Sequence, residues 1–392
     1  MDGHHVDTVV IGGSQSGLAV GYHLKQQGLP FVILEACDRI GDAWRNRYDS
    51  LRLFTPRRYN ALPGMPFPES PSSYPTKDEA ADYLEAYAHE FELPVRTGVH
   101  VDRLSRLGDQ FEVSLDGSTV VAENVVVATG VYHHRKIPPF ARDLGDGVVQ
   151  LHSRDYRNRS QLQPGPVLVV GAANSGSEVA LDLAPHHRTW LSGRDPGQEP
   201  SLGRPGSFGD RVLKAVMWAV ATRVLVVTNP LGRKARDHFL DPPRGIPLGG
   251  GRRKQIRIAG IERVPSTVGV QAGHPVLEDG TTLEVANVVW CTGYTPDYAW
   301  IDLPLPIQHG FPVHDRGVVE SIPGLYFVGL LFLRSLSSAL LGGVGRDAAY
   351  IAEHIASARP RQPQPQHDTP RREGIVPSPP PTRPTPRERR PA

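Results

Sequence analysis

Residues Val6 to Glu35 read VDTVVIGGSQSGLAVGYHLKQQGLPFVILE. The opening six are apolar and largely β-branched, the pattern of a strand buried on both faces. Gly12 and Gly13 follow without a break, and a helical stretch runs from there to about Gln27. Gly28-Leu29-Pro30 stops that helix. Phe31 to Leu34 is then a second buried strand, ending in Glu35. Strand, glycine turn, helix and strand within about 30 residues predict a βαβ unit of the dinucleotide-binding kind.

The turn itself is Gly12-Gly13-Ser14-Gln15-Ser16-Gly17. Gly12 permits the tight turn and Gly17 lets helix and strand pack closely. The backbone N–H groups between them, across Ser14, Gln15 and Ser16, are placed for a pyrophosphate at the helix N-terminus. Ser14 stands where the pattern has its middle glycine, so a Cβ crowds the phosphate while a hydroxyl gains a donor. Glu35, eighteen residues after Gly17, is the carboxylate expected to accept from ribose hydroxyls.

A second turn of the same kind follows the strand Val167 to Val170: Gly171-Ala172-Ala173-Asn174-Ser175-Gly176, with Ala173 at the middle position. Its second strand, near Thr189 to Leu191, ends in Ser192-Gly193-Arg194 rather than in an acid. A carboxylate repels a 2′-phosphate, whereas a guanidinium pairs with it bidentately. One turn with an acid and one with an arginine suggest FAD at the first and NADPH at the second, with NADPH as hydride donor and the flavin as acceptor.

The remaining chain supports this two-site organisation and excludes other classes. The 392 residues predict two or three domains. Lys+Arg 43 against Asp+Glu 41 gives a net charge of +2, and residues 358–392 alone carry eight Arg against three acids, leaving the rest mildly acidic. Nucleic acid needs a basic stripe on the folded part and is not the expected partner. Cys37 and Cys291 are the only cysteines, too far apart for CxxC, which disfavours a disulfide framework, a thiolate zinc site and a dithiol redox couple. The N-terminus shows no signal-peptide pattern, so a reducing cytoplasm is the default compartment. Ala215 to Thr228 is apolar but too short and too charged to span a bilayer, and predicts a buried or interfacial helix.

Local signals place further elements. Thr76 and Glu79 form a capping box ahead of a helix with Ala80, Tyr83, Leu84, Tyr87 and Phe91 on one face. Phe111 to Leu115, the turn Asp116-Gly117 and Val120 onward read as a hairpin leading into the strand Asn124 to Ala128. Leu283 to Trp290 and Tyr326 to Val328 read as buried strands, with a helix from Val344 to Ala356. Residues 197–210 and 241–253 are Gly- and Pro-rich and bracket a small helical insertion. The last 35 residues hold eleven Pro and predict a disordered tail. Its PxxP spacing offers a partner a weak polyproline ligand, with an inert solubilising tail as the other reading.

In their order and spacing these pieces resemble the flavin-containing monooxygenase family over residues 6–356. GGSQSG resembles the FAD turn and GAANSG the NADP turn. Gly41-Asp42-Ala43-Trp44-Arg45 resembles the family's GxxW segment beside the flavin. Ala128-Thr129-Gly130 and Cys291-Thr292-Gly293-Tyr294 resemble its strand-end ATG segments, and Pro323 to Gly329 its closing FAD strand. His152-Ser153-Arg154-Asp155-Tyr156 resembles the HxxxY half of the fingerprint. Residues 47–68 and 74–88 resemble the auxin-forming indole-pyruvate monooxygenases in particular.

The resemblance implies an α/β protein with two Rossmann-like domains, the NADP domain (158–300) inserted in a discontinuous FAD domain (1–157 with 301–357). It implies that NADPH reduces FAD, that O2 adds to form a C4a-peroxyflavin, and that one oxygen passes to a small organic substrate. Trp44, Arg45, Val101, Thr129, Gly130, Thr292, Gly293 and Gly329 are then expected cofactor contacts. Thr55, standing where many members have an Asn, and His152 are the side chains expected nearest the chemistry, the flavin itself carrying it; no metal is expected.

Two departures bear on the reaction. Gly147 sits one place early for the fingerprint, with Val148 in its position. Phe54 and Ala235 occupy the places of the Asp and Arg that support ketone oxygenation in the Baeyer–Villiger relatives. N- or S-oxygenation, or oxidative decarboxylation of a 2-oxo acid, therefore ranks above ester formation. Two other readings stand beside the monooxygenase: an NADPH oxidase or flavin reductase that yields peroxide or feeds a partner, and a non-catalytic nucleotide sensor. His133-His134 read as solvated loop, since adjacent residues of an extended segment point opposite ways.

Overall fold

The computed structural model describes residues 4–200, 202, 207–240, 247–249 and 251–358. The Pro/Arg-rich tail and parts of the helical insertion lie outside these.

Val6 to Ile11 do form a strand. β1 (His4–Ile11) is the centre of the first sheet, flanked by β2 (Phe31–Leu34) and the long β6 (Ser118–Val127), both parallel to it. Helix α1 (Gln15–Gln26) crosses between β1 and β2. The sheet continues through β3 (Val95–Arg96) on one side and, on the other, through the antiparallel meander β4 (Val101–Leu107), β5 (Gln110–Leu115), β6. Helix α2 (Lys77–Glu90) starts on the expected capping box: Glu79 N–H donates to Thr76 Oγ1, and Thr76 N–H to Glu79 Oε2. Tyr83, Leu84 and Tyr87 of α2 join Leu18, Val20 and Leu24 of α1 in the core on one face of this sheet.

The second sheet is wholly parallel, in the order β10-β9-β8-β11-β7: β7 (Val149–His152), β8 (Val167–Val170), β9 (Thr189–Ser192), β10 (Glu262–Val264) and β11 (Asn287–Trp290). Every residue of β8, β9 and β11 is buried, as a strand covered on both faces requires. Helix α3 (Asn174–Leu183) links β8 to β9. The expected strand from Leu283 begins only at Asn287. Leu283 N–H is taken by Pro275 O, which ties that stretch to the hairpin of Thr267–Gln271 and His274–Leu277 instead. Strand β7 precedes the 157/158 division expected from sequence yet pairs in this second sheet.

The insertion after β9 contains α4 (Phe208–Ala219), a π-helical turn Val220–Val224 and α5 (Pro230–Leu240). The chain then returns to the first sheet. β12 (Leu325–Phe327) pairs with the upper part of β6, which pairs with β5 lower down, so one ten-residue strand serves both neighbours. The last helix, α6 (Gly345–Ala358), packs on α1 and contributes Ala348, Ile351, Ala352 and Ile355 to the same core.

Candidate functional site

The two glycine turns are near copies. Gly12 and Gly171 both have φ +108, a backbone conformation that only glycine adopts without strain. A Cβ on Gly17 would lie 1.8 Å from Gly12 O, and one on Gly176 would lie 1.7 Å from Gly171 O. Each helix therefore rests directly on its strand end. Among the described residues, neither α1 nor α3 has a side-chain cap, and neither carries an acid in its first turn. Helix α2 has both. The first-turn N–H groups of α1 and α3 thus face outward at the positive end of a helix dipole with no built-in anion, which fits a pyrophosphate at each.

Around the first turn the expected residues converge. Glu35 is buried at the end of β2, where Gly13 N–H donates to its Oε2 at 2.6 Å and Cys37 N–H to its Oε1 at 2.9 Å. Each carboxylate oxygen keeps a lone pair, so ribose hydroxyls can still be accepted. Gln15 Oε1 accepts from Ser14 Oγ at 2.6 Å and from Trp44 Nε1 at 3.3 Å, which brings the short helix Asp42–Arg45 to the turn. Ala128 O and Thr129 N lie against Gly12, and Gly329 lies against the Ser16 side chain, where a Cβ would meet Oγ at 2.2 Å. Gly12, Ser16, Glu35, Trp44, Thr129 and Gly329 are therefore one cluster, although they are spread over more than three hundred residues of chain.

Around the second turn, Cys291 O sits against Gly171 and Cys291 Cβ against Gly176. Thr292 Oγ1 donates to Lys136 O, and Lys136 N–H donates to Gly293 O at 3.1 Å. A two-residue antiparallel ladder, His134–Arg135 with Tyr294–Thr295, extends this link. It joins the segment after Ala128-Thr129-Gly130 to the segment after Cys291-Thr292-Gly293. The first strand-end segment is thereby tied to the second.

Several residues are placed differently from their sequence reading. His152 is buried, donates from Nε2 to Gly293 O at 3.0 Å and accepts from Arg154 N–H at Nδ1 at 3.2 Å. Burial pushes its pKa below the ordinary value, so it is a neutral imidazole that holds the Gly293 carbonyl. Arg45 turns away from the turn, donating to Ile40 O and pairing with Asp42, Asp82 and Glu85. Three carboxylates within reach outweigh a place beside the cofactor turn. Val101 packs into the core on the other face of the first sheet, and it is Val99 N–H that reaches Glu35 O, at 2.9 Å. Arg194 is exposed beyond β9 and sits beside Asp195, which Arg253 pairs at 2.5 Å. His133, read as solvated loop, is half-buried and accepts from Asp297 N–H, because the loop becomes the ladder just described.

Thr55 Oγ1 donates to Asn60 Oδ1 at 2.7 Å, and Asn60 Nδ2 returns bonds to Thr55 O and Pro56 O. Asn60 is buried, and Gly342 packs against the backbone of Tyr59 and Asn60. Both Asn60 amide hydrogens are used within this turn, so Thr55 and Asn60 form a closed local pair that linear spacing does not reveal. Tyr48 carries no signal in the linear sequence, yet it reaches α3. Its hydroxyl donates at 2.7 Å to Glu178 of α3, whose other oxygen accepts from Arg252. Both thiols are pushed up to about 12, Cys37 by burial and then by Glu35, and Cys291 by burial. Neither is a thiolate nucleophile at neutral pH.

Two glycine turns, each ending a parallel strand under a helix N-terminus and cross-linked by a short ladder, define a flavoprotein oxidoreductase with paired nucleotide folds. A pyridine nucleotide-disulphide oxidoreductase family model matches residues 9–201. An uncharacterized oxidoreductase CzcO-like of Geobacillus kaustophilus is 42% identical over 355 residues, covering 90% of this chain and 99% of that one. Probable indole-3-pyruvate monooxygenase YUCCA8 of Arabidopsis thaliana is 32% identical over 389 residues, covering 89% and 88%. The solved flavin-containing monooxygenase from Stenotrophomonas maltophilia superposes with a TM-score of 0.72 at 27% identity, over 90% of this chain and 99% of that one. The chain belongs to the flavin-containing monooxygenase family, whose members use FAD and NADPH.

Proposed function

We propose that this enzyme is an NADPH-dependent monooxygenase that delivers one oxygen atom of O2 to a small organic substrate, by heteroatom oxygenation or by oxidative decarboxylation of a 2-oxo acid. The observation that carries the reading is the tie between the two turns. The segments after Thr129-Gly130 and Thr292-Gly293, which lie against the two turns, are linked through Lys136 and the ladder 134–135 with 294–295, and this supports two nucleotides bound side by side. When bound, FAD supplies the oxygen-activating redox chemistry and NADPH the hydride.

The protein's own part is positioning. The N–H groups of the Gly12–Gly17 turn hold the FAD pyrophosphate and Glu35 accepts from its ribose. The N–H groups of the Gly171–Gly176 turn hold the NADPH pyrophosphate, and Arg194 pairs with the 2′-phosphate. The imidazole of His152 fixes the Gly293 carbonyl and with it the Thr292-Gly293 turn. Thr55 and Asn60 form a closed hydrogen-bonded pair under the insertion, where Tyr59 stacks on Trp218 with ring centroids 5.0 Å apart. The 2-oxo acid option is supported by the 32% identity to YUCCA8, and the heteroatom option by Phe54 and Ala235 in place of an Asp–Arg pair.

The test is turnover under ¹⁸O2 with a panel of thioethers, amines and aryl 2-oxo acids, with NADPH use and peroxide release followed together. Label in one product class, with peroxide well below NADPH consumed, is the expected result. Stoichiometric peroxide with no labelled product across the panel moves the reading to an oxidase.

A further inference from the structure

The insertion has two faces of opposite character. Its inner face packs on the folded body: Trp218 stacks on Tyr59, Arg346 Nη1 donates to Thr222 O at 3.3 Å, and Val227 N–H donates to Arg334 O at 2.8 Å. Its outer face presents Phe208, Val212, Val216, Val220 and Val224, all between 36% and 75% exposed. These fall at a constant spacing of four. In a plain α-helix such a row drifts around the axis, because the turn holds 3.6 residues. Here the last turn is π-helical, with Leu225 N–H bonded to Val220 O five residues back. The wider turn reduces the drift and keeps Val224 with the row. Leu231 at the start of α5 is a further exposed apolar side chain.

Charge around the row is one-sided. Arg211, Arg223, Arg233 and Lys234 are exposed, and among the described residues no carboxylate forms an ion pair with any of them. The two acids of the segment are engaged elsewhere: Asp210 is buried and pairs with Lys214, and Asp237 pairs with Arg236. An apolar stripe with uncompensated basic side chains around it is the pattern of a helix lying in a lipid–water interface. Isologous pairing of this face with a second copy would set like charges close together.

We propose that the outer face of α4 and its π-helical extension docks the enzyme on an anionic lipid bilayer, the apolar row entering the headgroup region and the basic side chains meeting lipid phosphates. No described helix is long and apolar enough to cross a membrane, so the contact is peripheral. Docking itself does not depend on which reaction the site carries out.

The test is flotation of the full, FAD-loaded chain with vesicles of phosphatidylcholine alone and with about a quarter phosphatidylglycerol. The expected result is salt-sensitive binding to the anionic vesicles and little to the neutral ones. The eight arginines of residues 358–392 also favour anionic vesicles, so the deciding variant is V216D/V220D, at two exposed positions. It should bind about tenfold or more weakly, with FAD content and Tm unchanged. R211A/R223A, which removes charge only, should lower affinity and flatten the salt dependence, and it decides the matter if the first variant does not fold. Failure of the wild type to float, or flotation of both variants like wild type, overturns the proposal. A wild-type dimer split into monomers by V216D/V220D also overturns it, in favour of self-association.

Discussion

A glycine with no room for a methyl group carries the chemistry of this fold at the smallest scale. Gly17 and Gly176 have their would-be Cβ within 2 Å of a backbone carbonyl, so alanine at either must lift a helix off its strand. With FAD on the first turn and NADPH on the second, as proposed, the losses should separate. Gly17→Ala is expected to purify without FAD and to lose roughly 2–4 kcal/mol of stability. Gly176→Ala should keep FAD, read by its visible absorbance, while KM for NADPH rises about tenfold or more. Asp347 offers a second test. It is buried at the start of α6, and burial pushes its pKa up to about 6 against partial compensation from Ser338 and nearby arginines. Its folded pKa lies above its unfolded one, so the folded state takes up the proton first as pH falls. Asp347 therefore destabilises at pH 7, and that penalty lifts as pH falls through 6. Asp347→Asn should remove about 1 kcal/mol of the change in stability between pH 7 and pH 5, measured by urea unfolding at both. An identical pH slope in wild type and variant would sink this account.

Among the elements, α2 shows how a local signal becomes a tertiary one. Its capping box is readable in the sequence, yet Glu79 Oε1 also accepts from Arg57 at 2.6 Å, and the Arg57 side chain is only 5% exposed. Thr76→Ala should cost about 1 kcal/mol, the ordinary value of an N-cap. Glu79→Ala should cost about twice that, because it also leaves the buried guanidinium with the exposed Glu69 as its only charge partner, beside the Ser73 hydroxyl. Equal losses for the two variants, measured by thermal unfolding, would mean that the Arg57 contact adds nothing. Helices α1 and α3 are the counterexample. Their missing caps are a weakness by the standards of α2, and the nucleotide-turn reading gives that weakness its purpose.

Across the whole molecule, two tyrosines fix α3 beside the second sheet, one of them reaching it from the first segment. The Tyr48 hydroxyl donates to Glu178, and the buried Tyr156 donates to Asp182 at 2.6 Å. Burial raises the pKa of Glu178, and the Tyr48 and Arg252 hydrogen bonds oppose that rise. Tyr48→Phe removes one of them and should cost about 1–2 kcal/mol at pH 7. The folded pKa of Glu178 then rises further, so the loss should shrink as pH falls toward 5. Chemical denaturation at the two pH values measures this, and a loss that grows toward acid would contradict it.

What the sequence determined by itself was whatever depends on neighbours along the chain. The strand–glycine–helix periodicity of residues 6–35 and 167–192, the α2 capping box and the Asp116-Gly117 hairpin are local patterns, and the fold follows from them. That an acid follows one second strand and an arginine the other was legible for the same reason, since each stands close after its strand. Tertiary structure alone decided which distant groups meet. Linear spacing cannot show that three carboxylates draw Arg45 away, that Val101 belongs to the opposite core, or that Thr55 pairs with Asn60. It cannot show that His133 closes a ladder or that Tyr48 reaches Glu178. Nor can it tell which side of an apolar stretch faces solvent, because burial depends on what packs against a helix, and α4 is met by Tyr59 and Tyr74 at Trp218 and Lys214.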